Sequence, residues 1–255
     1  MKLFFSLLAV NIRRAIFSLR FAFCVCAIAL IIFLTGLGLI NNASDVIYLL
    51  GLSSGSENMM LIAGILPLLP FAVSFADEWE EHAAGFWMIR TGIRHYAVSK
   101  VLVSAVSGFL TTAAGLILFI LIALTRLPLF INSTAGNAYS VLLDAGKPVQ
   151  YLCCYIADIS LSSVLFAVAA VWVSTYITNK FTAVAGPLVL FFMLHRITAT
   201  LNIPQHLKIS AIVHGGYGTG TPMQNLLFKL GIVALLCFPM GYGSLRQIRR
   251  KTFHN

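Results

Sequence analysis

Asp77, Glu78, Glu80 and Glu81 gather half of the chain's eight carboxylates into five residues, and His82 follows directly. Carboxylates beside an imidazole are the ingredients of acid–base or metal-assisted hydrolysis. The spacing completes neither arrangement. A zinc site of the His-Glu-x-x-His kind needs a second histidine one helical turn away, and His82 has none. The run 80–85, EEHAAG, lacks the arginine of the Glu-Glu-x-x-x-Arg pattern of membrane prenyl proteases. No Gly-x-Ser-x-Gly elbow occurs. Gly146-Lys147 is followed by Pro148, and Val141 stands where the first glycine of a phosphate-binding loop belongs. The glycine-rich run 215–220, GGYGTG, reads as a flexible loop. Cys24, Cys26, Cys153, Cys154 and Cys237 form no Cys-x-x-Cys pair and read as small apolar packing residues. The expectation is a non-catalytic chain with no metal or cofactor of its own.

The elements that hold the acidic group are apolar on both sides, at 61–76 and 101–124. A charge at the centre of a bilayer costs at least about 2.5–3.5 kcal/mol, so the group has to emerge from the membrane. Only 10% of the residues are charged and 59% are hydrophobic, with a mean hydropathy of +0.92. Soluble domains carry about 25% charged residues. The long apolar runs lack strand alternation, which argues against a barrel. The predicted fold class is all-α, a polytopic membrane protein with six transmembrane helices at about 21–39, 59–76, 101–124, 157–177, 181–194 and 225–242. Pro67 and Pro70 predict a kink or break in the second span. Gly108 and Gly115 in the third span would permit close helix contact. The short Asn179-Lys180 connection makes the fourth and fifth spans antiparallel neighbours.

Residues 1–20 read as an amphipathic interfacial helix. Leu8, Ile12, Ala15, Ile16 and Leu19 share one side, and Ser6, Arg13 and Arg20 another. A signal peptide fits poorly, because Asn11-Ile12-Arg13-Arg14 interrupts the apolar run and no small-residue cleavage site follows. Residues 246–255 read as a basic tail. The net charge of +9 lies beside the apolar spans. That placement signals topology and attraction to anionic membrane lipid, not nucleic acid. With the N-terminus cytoplasmic, twelve of the seventeen Lys and Arg residues fall on that side. Both termini and the segment 77–100 are therefore expected to be cytoplasmic. Asp158, near the outer end of the fourth span, is either interfacial or lines a polar cavity.

Within 77–100, Gly85-Phe86-Trp87-Met88-Ile89 form an apolar knuckle bounded by Glu80-Glu81 and Arg90. Thr91-Gly92 breaks it, and Tyr96-x-x-x-Lys100 enters the third span. A short helix of this kind lies on a membrane or enters a partner's groove. Glu78, Glu81, Arg90-Thr91-Gly92, Tyr96, Ser99 and Lys100, in a connection between the second and third of six spans, resemble the ABC-2 type transporter permease family. The motif covers about twenty-five residues, and the order of elements covers the chain.

The resemblance implies a permease subunit of an ATP-driven exporter in a bacterial plasma membrane. ATP and Mg would be bound and hydrolysed by two copies of a separate cytoplasmic ATP-binding subunit. A second permease, identical or homologous, would complete two-fold symmetry. Phe86, Trp87 and Met88 would anchor the ATPase contact, with Glu78, Glu80, Glu81 and Arg90 as its charged rim and Thr91 and Gly92 closing the coupling segment 77–92. The cargo path would run between the permeases, along the first, second and fifth spans. The alternative is a stand-alone channel, or a membrane-embedded enzyme or scaffold, with the acidic segment merely solvated. No residue specifies the cargo.

Overall fold

A computed structural model of the chain describes residues 2–38, 43–131, 138–202, 204, 208–214 and 220–254, whose regular elements are all helical. Most of the glycine-rich run 215–220 lies outside the described residues. Helix α1, Lys2–Ile16, ends at a break where Ser18 caps the next helix. The Ser18 hydroxyl accepts the Phe21 N–H at 3.1 Å, so α2, Leu19–Gly36, begins before the end of the single helix expected over 1–20.

The expected second span, 59–76, is not a continuous helix. After α3, Val46–Ser53, and the single turn α4, Ser56–Met59, comes a π-helical stretch, Met60–Ile65, and a 3₁₀ turn, Leu66–Leu68. Regular α-helix resumes only in α5, Ser74–Glu80. Pro67 and Pro70 lack the N–H that an α-helix needs there, which accounts for the break. Helix α6, Ala83–Thr91, and α7, Ile93–Ala123, follow. The rest comprises α8, Ser140–Asp144; α9, Pro148–Tyr176; α10, Lys180–Thr200; α11, Ile209–His214; and α12, Pro222–His254.

Among the described residues, five helices, α2, α7, α9, α10 and α12, are long and apolar enough to cross a membrane. Several outrun the spans expected from hydropathy. Helix α7 starts at Ile93 and α9 at Pro148, and α12 carries the basic residues 246–251 in its last turns. Hydropathy marks only the apolar part of a helix, whereas the hydrogen-bond ladder continues into water. The basic tail is thus helical.

Helix α9 is the most buried of the five and lies against α7, α10 and α12. Close approach is built on small residues. A Cβ on Gly108 would sit 3.0 Å from the Ser163 carbonyl oxygen, and one on Gly115 would sit 2.6 Å from Ile28 Cγ2. Van der Waals packing of this kind holds helices together where no hydrophobic gain is available. The broken segment lies inside the same core. The Ile62 carbonyl accepts the Thr112 hydroxyl at 3.4 Å, and Thr112 also shares a 2.6 Å bond with Ser163.

The contacts sort into two ends. At one end Asp45 caps α3 and accepts the Ile131 N–H, and Ser54 bonds Tyr155 at 2.7 Å. At the other, α5 meets the start of α2 through Arg20–Asp77 and the start of α10 through Lys180–Asp77. Between them the broken segment meets α7 first at Thr112 and later at Lys100, through Ser74. Those two positions on α7 are separated by about 18 Å of helix rise, so the segment runs antiparallel to α7.

Candidate functional site

The acidic segment folds as a helical hairpin, not as a solvated loop. Helix α5 ends in a turn where His82 adopts a left-handed conformation (φ 57°), and α6 departs from it. Histidine is among the side chains that tolerate this region. Gly92, at φ 84° and ψ 141°, then turns the chain into α7. That backbone geometry is one that glycine reaches without strain.

Glu78 lies at the heart of the hairpin, and its carboxylate is fully engaged inside the protein. Lys100 Nζ donates to Oε1 at 2.8 Å and Tyr96 Oη donates to Oε2 at 2.7 Å. Arg14 Nη1 adds a 3.2 Å bond to Oε1. Tyr96 and Lys100 are four residues apart, so they stand on one face of α7 and take one oxygen each. The Lys100 side chain is only 1% exposed. Its ammonium also donates to Ser74 Oγ at 3.0 Å and lies 4.8 Å from the Phe71 ring centre. A charge withdrawn this far from water persists only when partners surround it. Asn11 donates to Ser99 Oγ at 2.9 Å and ties α1 to the same turn of α7.

Apolar packing completes the junction. Phe75, Ala84, Met88, Tyr96, Ala97 and Ile248 form one buried cluster that joins α5, α6, α7 and α12. The Thr252 hydroxyl donates to the Met88 sulfur at 3.4 Å. Lys251 donates to the Tyr176 carbonyl at 3.2 Å and lies over the Trp79 ring. The last turns of α12 therefore clasp the hairpin.

The residues expected to meet a partner divide accordingly. Glu78 and Met88 are buried within the chain, and Trp87 and Thr91 are partly buried. Glu80, Glu81, Phe86, Arg90 and Gly92 are exposed. Phe86 is 77% and Ile89 86% exposed, the most open large apolar side chains of the hairpin. Ile89 belongs to the apolar knuckle but not to the expected anchor, and only the facing of α6 reveals it. Glu80 pairs with Lys180 at 3.4 Å.

A second buried pair stands at the opposite end. Lys229 of α12, 0% exposed at its side chain, donates to Asp158 Oδ2 at 2.8 Å and to the Val213 carbonyl at 3.3 Å. Tyr139 Oη donates to Asp158 Oδ1 at 2.9 Å. The Asp158 side chain, expected to be interfacial or to line a polar cavity, is buried and pairs with Lys229 inside the helix packing.

A cleft of about 770 Å³ opens between α2, the broken segment and α10. Phe23, Leu69, Val73 and Val184 form its walls, and Arg20, Asp77 and Lys180 stand at its mouth. No family model, curated protein or solved structure matches this chain. The ABC-2 resemblance therefore stands on the residues quoted for it.

Proposed function

We propose that this chain is the membrane-spanning permease subunit of an ATP-driven exporter, and that α6 receives the force of a separate ATP-binding subunit. The observation that carries the reading is the two-sided character of α6. One side, Ala84 and Met88, is buried against α7 and α12, while Phe86 and Ile89 project outward beside the exposed charges Glu80, Glu81 and Arg90. An exposed apolar pair within a charged rim suits a partner's groove. The buried side, with the Glu78–Lys100 pair beneath it, suits transmission of a push on α6 to two long helices.

In this reading the broken segment is the second of six crossings, with its polar backbone sheltered by protein. Helix α1 lies in the interface, both termini and α6 are cytoplasmic, and the membrane is a plasma membrane. Two permease subunits and two ATPase subunits form the transporter. ATP-driven closure of the ATPases tilts the permeases between inward and outward states. Broken helices at mid-depth commonly border transport paths, and the broken segment borders the cleft beside α2 and α10.

The test is co-purification from native membranes with and without the double substitution Phe86→Ala/Ile89→Ala. Both side chains are exposed, so folding should change by no more than about 0.5 kcal/mol. Wild type should bring down an ATP-hydrolysing subunit that the variant loses. Recovery of that subunit undiminished with the variant removes α6 as the contact. Recovery of no ATPase with the wild type favours the stand-alone channel, enzyme or scaffold.

A further inference from the structure

We infer that the cleft between α2, the broken segment and α10 is a binding site for a single phospholipid with an anionic headgroup, its acyl chain in the cleft and its phosphate at Arg20 and Lys180. The site does not depend on the exporter reading, although under that reading the lipid would stand at the edge of the cargo path.

Three features converge. The cleft is about 770 Å³, within the roughly 300–1,000 Å³ usual for small-ligand sites. Its walls, from Phe23 and Cys24 on α2 to Leu69, Val73 and Val184, offer carbon almost throughout, which suits an alkyl chain. The rim is also open, with Leu19 and Phe181 both strongly exposed, so a chain can enter sideways from hydrocarbon.

The mouth is the second feature. Arg20 lies in the first turn of α2 and Lys180 begins α10, so two helix N-termini reach the same opening. Each adds partial positive charge to the side chain it carries. Asp77 spans the two cations, 2.9 Å from Arg20 Nη1 and 3.3 Å from Lys180 Nζ, and Glu80 places a second carboxylate 3.4 Å from Lys180 Nζ, which leaves that ammonium one further donor. The Asp77 carboxylate shows that one anionic group can be shared between the two cations.

Third, both cations keep capacity for another anion. Their side chains are 63% and 50% exposed. Asp77 engages one guanidinium nitrogen of Arg20, which has five N–H donors in all. A phosphate can therefore join Asp77 without displacing it. A neutral headgroup would gain little here, and a free phosphate would leave the apolar walls empty.

The experiment is native mass spectrometry of the detergent-purified chain with phosphatidylglycerol or phosphatidylcholine of identical acyl chains. One phosphatidylglycerol should bind with about threefold preference, since Asp77 and Glu80 offset much of the charge of the two surface cations and the two helix N-termini supply the rest. Arg20→Gln/Lys180→Gln should abolish the preference, and the charge-conserving Arg20→Lys/Lys180→Arg should keep it. Val184→Trp, which fills the cleft, should weaken binding of both lipids. Equal binding of the two lipids to wild type would overturn the inference, as would a preference untouched by the double glutamine substitution. Glycerol phosphate competing as well as the intact lipid would show a bare anion site. A chain that is dimeric, and that Val184→Trp renders monomeric with lipid binding intact, would show that a second copy fills the cleft. Neither of those results bears on whether α6 binds an ATPase.

Discussion

Glu78 looked from its position like one more charge in an acidic run, and its carboxylate is instead the centre of the junction. Removing its main partner leaves a buried carboxylate short of a cation, which typically costs about 3–5 kcal/mol. Arg14 also bonds Glu78 and is largely exposed, so it relieves part of that cost. Lys100→Met should lower the apparent melting temperature in detergent by about 10 °C, given about 2–4 °C per kcal/mol for a chain of this size. Glu78→Gln/Lys100→Met should recover most of the loss, because no unpaired charge remains. A Lys100→Met protein that melts with the wild type would show that the pair carries no stability. The partnership was half legible: the four-residue spacing of Tyr96 and Lys100 puts two donors on one helical face, but nothing local says which of four carboxylates they meet. Lys229 and Asp158 are 71 positions apart, and no sequence period links them.

At the scale of elements, the hairpin α5–α6 depends on one backbone position. Gly92 has φ 84° with ψ 141°, and any Cβ there is strained by about 1–3 kcal/mol. Gly92→Ala should re-aim α6 relative to α7 and weaken ATPase association under the exporter reading. The Glu78–Lys100 pair lies beneath this turn and should keep the bundle folded. The check is paired: near-native helical circular dichroism together with reduced co-purification. Retained co-purification would show that the orientation set at Gly92 is not needed for docking. The Thr91-Gly92 break was readable because glycine punctuates a helical pattern. The facing of α6 was not, since nine residues of mixed character allow several buried stripes. The five long helices followed from hydropathy alone. The broken segment was visible only as Pro67 and Pro70, because a π-helical stretch leaves no local signature and is chosen by what packs around it.

For the whole molecule the question is how many times the chain passes from one end to the other. Five helices are long enough to span, and an odd number of crossings would put the termini on opposite sides. In the exporter reading the broken segment supplies a sixth crossing and makes the count even. The chain bonds Tyr155 at Ser54, just before the broken segment, reaches the middle of α7 at Ile62 and meets the start of α7 at Ser74. As a consequence the starts of α2, α7 and α10 and the close of α12 share one end with α6. Most basic residues lie at that end too, including Arg13, Arg14, Arg90, Arg94, Arg249 and Arg250. The excess of Lys and Arg on one side sets cytoplasmic orientation. In a chain whose five cysteines are replaced by alanine, single cysteines at Phe86, Asp144 and Arg250 report the arrangement, all three native side chains being exposed. A membrane-impermeant maleimide should label Asp144→Cys on intact cells. Phe86→Cys and Arg250→Cys should react only after permeabilisation. Labelling of Arg250→Cys but not Phe86→Cys on intact cells would mean five crossings. Labelling of Phe86→Cys from outside would place α6 beyond the reach of any ATP-binding subunit, and the exporter reading would fall with it.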